Sequence, residues 1–219
     1  MSTQLQIGVL YLIVIGGMLL AIQQLSAFVA RRSQRREQML WIGGAAIVCG
    51  QLIIAGHDTN ILAGESRSAT AVFSQSMIAT GHIWVVYGCL GWDRASLNVI
   101  PWRYPLIASC LVGSIGVVLT AGSSNMGIGA VLIAHGVGVF ILSSIFARHA
   151  IAYRMGRILP FVGLYVLSTV IMLIYQYQHI DQHIAPDALA MTSVPNGFLF
   201  VIITWYLASN QRQQRMVIV

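Results

Sequence analysis

Apolar residues gather along the chain into seven runs, 7–30, 39–56, 71–92, 104–121, 127–146, 158–177 and 193–209, separated by short polar stretches. A helix rises about 1.5 Å per residue and needs about twenty apolar residues to cross a hydrocarbon core. Each run meets that length to within a few residues. Short connections suit such an arrangement, because backbone polar groups at membrane depth must be satisfied inside a helix. The pattern predicts an all-α, polytopic membrane bundle of seven transmembrane helices, forming a single domain over 1–219. The first run lacks a preceding basic stretch and a following small-residue cleavage site, so it is expected to be a retained helix. Pro105, Pro160 and Pro195 fall near the starts of the fourth, sixth and seventh runs, and each is expected to open its helix.

Arginine placement orients the bundle. Arg31, Arg32, Arg35 and Arg36 follow the first run, Arg94 and Arg103 the third, Arg148, Arg154 and Arg157 the fifth, and Arg212 and Arg215 the seventh, whereas the other side holds only Arg67. Under the positive-inside rule the first set is cytoplasmic, so the N-terminus is expected outside and the C-terminus in the cytoplasm. Trp41, Trp92, Trp102 and Trp205 cluster near that same inner boundary, as an interfacial belt does. The formal charge of +6 is thereby topology. The expected partners are the lipid bilayer and other membrane proteins or further copies of the chain, with no nucleic acid. The expected location is a multi-pass protein of a bacterial inner (plasma) membrane.

Composition sharpens this picture. Hydrophobic residues make up 57% of the chain and charged ones 8%, against about a quarter charged in a soluble domain. All basic residues are arginine, and a retinal Schiff base needs a lysine amine. A covalently bound retinal is therefore excluded. Cys49, Cys89 and Cys110 lie inside apolar runs without a CxxC pair and read as small core residues.

Two sets of histidines carry candidate chemistry. At the outer mouth, His57-Asp58 ends the second run, and Gln178-His179-Ile180-Asp181-Gln182-His183 links the sixth and seventh. His179 and His183 stand four apart, the spacing of one helix face. His57, His179 and His183 with an open fourth position would suit a zinc ion, and copper would accept the same nitrogen-rich set. Asp58 or Asp181 would add a ligand, orient one, or act as a base. A pH-sensing role and a merely solvated one stand beside the metal reading. This distribution of His57, His179 and His183 resembles that of seven-helix membrane hydrolases of the alkaline ceramidase and adiponectin-receptor group, and it implies a zinc site there. The resemblance is confined to those three residues. Ile53 stands where that group has a serine, and His183 lies outside the seventh apolar run.

His82 in the third run and His135 in the fifth form the second set, at depths within about two turns of each other. Ionisable residues inside a membrane are costly and usually have work to do. Gly81, Gly136 and Gly138 beside them would let a flat macrocycle approach, which admits a bis-histidine haem b. A proton relay, a ligand pocket, or an interhelical hydrogen bond that only glues helices is equally admitted.

No phosphate loop, HExxH helix or GxSxG elbow appears in the sequence. Three roles therefore stand at this level. A binding, sensory or transport-type protein acting at its outer mouth is the leading expectation. A redox or metalloenzyme subunit and a structural accessory subunit of a membrane complex follow it.

Overall fold

The computed structural model describes residues 3–29, 34–61, 67–90, 101–122, 124–179 and 186–216. Among them the backbone forms seven α-helices and no strand: α1 (Thr3–Val29), α2 (Gln34–Asp58), α3 (Arg67–Cys89), α4 (Arg103–Gly122), α5 (Ser124–Ala152), α6 (Leu159–Gln178) and α7 (Pro186–Met216). A 3-10 turn at Gly156–Ile158 leads into α6. Six of the helices, all but α3, are long and apolar enough to cross a membrane. The chain is an all-helical, multi-pass membrane protein.

Side-chain registers give the relative directions. Tyr11 and Ser26 of α1 meet Asp58 and Glu37 of α2, so this pair is antiparallel. Gly43 and Gly50 of α2 lie against Gly81 and Ser74 of α3, and Gly116 of α4 lies against Ser76. Gly129 and Gly136 of α5 meet Tyr177 and Leu173 of α6. Thr169 of α6 bonds Asn196 of α7, while Tyr165 stacks on Phe200. Consecutive helices thus alternate in direction. The starts of α1, α3, α5 and α7 share one end of the bundle, termed the N-terminal face, and the other end is the C-terminal face.

Helices α1, α2, α3, α5, α6 and α7 close a ring, with α1 packed on α7, and α4 sits against α3 and α5. Leu25, Leu142, Phe146, Tyr165, Phe200 and Ile203 fill the largest core cluster. Helix α3, the one not long and apolar enough to count as a span, packs against α2, α4 and α5. Its buried Ser74, Gln75 and His82 therefore face protein rather than lipid, which is where polar groups at membrane depth are tolerated.

The closest helix contact is α2 on α3, and glycine makes it. A Cβ on Gly43 would stand 2.6 Å from the Gly81 carbonyl oxygen, and one on Gly50 the same 2.6 Å from the Ser74 carbonyl oxygen. Backbone meets backbone here, the arrangement small residues permit where no water drives association. Gly81, which sequence reading paired with its neighbour His82 as room for a macrocycle, serves this contact instead. Gly138 is filled in a similar way, because a Cβ there would lie 3.1 Å from Cβ of His82.

Helix ends depart from the apolar runs. Hydropathy marks the part of a helix in hydrocarbon, whereas the hydrogen-bonded helix continues into the polar boundary. Helix α2 starts at Gln34, so Arg35 and Arg36 are helical rather than part of a loop. Arg36 is buried and donates to the carbonyl oxygen of Leu90, supplying a cation to the C-terminal end of α3. Helix α7 starts at Pro186, with Asp187 in its first turn, where a carboxylate complements the helix dipole. Pro195 accordingly does not open its helix, as expected from the apolar run, but lies inside it. Its ring removes the N–H that would bond the Met191 carbonyl. Pro160 stands in the first turn of its helix as expected. Of the three cysteines, Cys89 is a core residue, while Cys49 and Cys110 are exposed and not packed in the core.

The end of α5 carries a local conflict. Met155 N–H bonds the Ala150 carbonyl at 2.7 Å, closing a wrapped helix end in which Arg154 takes φ 54°. That left-handed position favours glycine. Arg154→Gly is expected to raise stability by about 0.5–1 kcal/mol, read as a higher thermal unfolding midpoint in detergent. An unchanged or lower midpoint would count against strain at this turn.

Candidate functional site

Two groups of polar side chains stand out, one at the N-terminal face and one at membrane depth. At the face, α2 ends on His57-Asp58, and α1 brings Tyr11 to it. The Tyr11 hydroxyl donates to Asp58 Oδ2 at 2.6 Å, and both residues are buried. His57 Nδ1 lies 4.0 Å from Asp58 Oδ1. Tyr11 was missed from sequence, yet a signal existed. It sits on the stripe Ile7, Tyr11, Val14, Met18 and Leu25, all buried, and a buried tyrosine hydroxyl calls for a partner.

Helices α6 and α7 complete the surroundings. Leu189 of α7 packs with Ile7 and Tyr11, and Ile54, Ala55 and Tyr175 close over them. His179 stacks on Tyr175, with centroids 4.2 Å apart, and its Nδ1 lies 3.0 Å from the Tyr175 carbonyl oxygen. That carbonyl can only accept, so Nδ1 is the donor in this contact. The structure therefore gathers His57, Asp58 and Tyr11 directly, with Tyr175 packed against the cluster of Ile7, Tyr11 and Leu189 and carrying His179 beside it. His183 and Asp181 lie outside the described residues. Among the described residues no group of three or more His, Cys, Asp or Glu stands close enough to hold a metal ion.

At membrane depth, the His82 and His135 rings touch across the α3–α5 contact, with centroids 4.5 Å apart and planes 35° from parallel. Both are buried. His82 Nδ1 donates to the Ile78 carbonyl oxygen at 2.9 Å, one turn back on its own helix. His135 Nδ1 is buried with no hydrogen-bond partner among the described residues. Neither ring thus makes the interhelical hydrogen bond admitted by the sequence. Bis-histidine ligation points one nitrogen of each ring at the iron from opposite sides of the macrocycle, which keeps the two rings apart, whereas these rings lie directly against each other. The observed contact does not fit a haem b held between them.

Further polar groups lie at other levels of the bundle. Gln75 donates to Gln176 at 3.1 Å, tying α3 to α6. Asn196 Oδ1 accepts from Ser168 at 2.9 Å and from Thr169 at 3.0 Å, one residue after Pro195. His149, buried with its ring tilted against that of Tyr153 at 4.4 Å, escaped sequence reading because α5 outruns its apolar run.

Comparison with protein-family models, with curated proteins and with solved structures found no match to this chain. The chemistry of the residues alone supports a functional reading.

Proposed function

We propose that the chain is a proton-responsive membrane sensor of seven spans, with its N-terminus outside and its C-terminus in the cytoplasm, receiving its signal at Tyr11, Asp58 and His57. The seventh span is α3. Its register against α2, from Gly43–Gly81 to Gly50–Ser74, lays it alongside a helix that is itself long and apolar enough to cross. The orientation is supported by the arginine split and by Trp41, Trp102 and Trp205, exposed at the C-terminal face.

The observation that carries the sensory reading is the buried carboxylate of Asp58 shared between two helices. Apolar packing would hold α1 to α2 at lower cost than a desolvated acid does. Imidazole changes charge between pH 5 and 8, so His57 beside Asp58 makes the cluster's net charge depend on external pH. The titratable groups on the elements packed around it are Tyr11 from α1, His57 from α2, Tyr175 of α6 with His179 stacked on it, and Asp187, exposed in the first turn of α7. The change passes inward along α7, whose outer part touches Tyr11 through Leu189 and whose ladder is interrupted at Pro195.

Hydrogen exchange on the reconstituted protein tests this. Protection of the α7 segment before Pro195 is expected to change about tenfold across pH 5 to 8, the equivalent of one pH unit's protonation free energy. His57→Gln removes the imidazole and should flatten that profile while leaving the unfolding midpoint nearly unchanged. A wild-type profile that is already flat would sink the proposal.

A further inference from the structure

A groove of about 690 Å³ runs down the outside of α5 between α4 and α6, starting at the N-terminal face. Its floor is α5, where Gly129, Ala130 and Gly136 remove side-chain bulk, and its walls are Leu119 of α4 and Leu173 and Ile174 of α6. Along α5 it extends from Asn125 to Val137, a rise of about 18 Å. One leaflet of hydrocarbon is roughly 15 Å deep. The groove is thus as long as one leaflet and apolar throughout, except at its mouth.

The mouth decides what it takes. Among the described residues Asn125, Tyr177 and Gln178 line it, two amides and a phenol with no cation beside them. A phosphate or carboxylate headgroup is recognised by Arg or Lys. Arg103, Arg148, Arg154 and Arg157 belong to the opposite face, and Arg67, which opens α3 at this face, is on none of α4, α5 and α6, the helices that build the groove. Amides and a phenol instead exchange hydrogen bonds with hydroxyl and ester groups. A second groove of about 570 Å³, between α3 and α4, has comparable size. Phe73, Met77 and Val117 line it with the hydroxyls of Ser76, Thr80 and Thr120, but no amide does among the described residues. The Ser76 and Thr120 hydroxyls already donate to carbonyls of their own helices. This second groove is the natural control.

We infer that the α4–α5–α6 groove is a binding site for a neutral, single-chain amphiphile of the long-chain alcohol or monoacylglycerol class, chain along α5 and hydroxyl head at Asn125 and Gln178. The site is independent of the Asp58 cluster, so it stands or falls separately from the sensory reading.

The test uses the full chain in phosphatidylcholine vesicles with a photoreactive, alkyne-tagged monoacylglycerol, and cross-linked peptides are mapped by mass spectrometry. Labelling should concentrate on α5 and α6 at the groove. Excess unlabelled monoacylglycerol should compete, and a fatty acid of equal chain length should not. Ala130→Phe, which fills the groove from a position that already carries a Cβ, should lower labelling about tenfold, equivalent to 1.4 kcal/mol of affinity. Val117→Phe in the control groove should leave it unchanged. Equal labelling of both grooves, equal competition by the fatty acid, or indifference to Ala130→Phe would reduce the groove to ordinary bilayer contact and overturn the inference. An Asn125→Leu, Gln178→Leu pair guards against misfolding in Ala130→Phe, since both side chains are exposed. That pair should lose the preference for the neutral head while retaining chain-driven labelling, and an unaltered preference would also overturn it.

Discussion

Replacing Gly81 by leucine should abolish the folded bundle, and even alanine there should cost about 3 kcal/mol or more, at the upper end of overpacking effects. A Cβ on Gly81 would stand 2.5 Å from the Gly43 carbonyl oxygen and 2.5 Å from Cγ1 of Ile47. The side chain of Ile47 has some freedom to turn away. The carbonyl of Gly43 has none, because it belongs to the backbone of α2, so the two helices must separate. Separation loosens the whole contact, since Gly50 depends on the same close approach to Ser74 and Ile78. The reciprocal change, Gly43→Ala, should therefore behave alike, while other glycines separate packing from helix propensity. Gly16, Gly113 and Gly163 have nothing within 4 Å of a Cβ. Alanine at these positions should be neutral or stabilise by up to about 1 kcal/mol, the ordinary preference for alanine over glycine in a helix. Unfolding midpoints in detergent decide the matter. A Gly81→Ala midpoint equal to that of Gly163→Ala would refute the backbone contact.

The same glycines show how far sequence reading reaches. The membrane imposes one strong rule, that apolar length makes a helix, and the rule delivered an all-helical chain with six helices long and apolar enough to cross, while α3 falls below that mark. It could not deliver which face of each helix meets which neighbour. Gly43 and Gly50 stand seven apart, as do Gly81 and Gly88, and a seven-residue spacing places each pair on one face. Nothing local says that the two faces meet, so Gly81 was more naturally paired with His82, its neighbour in the chain. Asp58 and His57 were legible as outward-facing polar residues, but their partner Tyr11 lies 47 residues away and is reached only through packing. Helix ends were misjudged where polar residues stay helical. That is why Arg36 was assigned to a loop and a topological role, although it also holds the end of α3. Pro195 was placed at a helix start for the same reason. The apolar run begins beside it, while the helix begins nine residues earlier at Pro186.

His135→Leu should stabilise the protein by about 1–2 kcal/mol, the reverse of the usual result for a buried residue. The ring of His135 is buried at membrane depth, and its Nδ1 has no partner among the described residues. An unsatisfied buried polar atom costs roughly 1–3 kcal/mol, and leucine of similar volume removes that cost while keeping contact with the His82 ring. His82→Leu is the informative companion. It gives up a hydrogen bond to Ile78, but that carbonyl stays paired along α3, so the expected change is within about 1 kcal/mol. The sign for His135 then separates two kinds of pair. A gain means the imidazole is retained at a cost to the fold, as groups with a functional task often are. A loss of stability means that Nδ1 has a partner in the membrane, a bound water or ligand, whose removal the variant would reveal. Reversible unfolding of the single and double variants in the same detergent gives both signs, and the double variant measures whether the rings contribute jointly or separately.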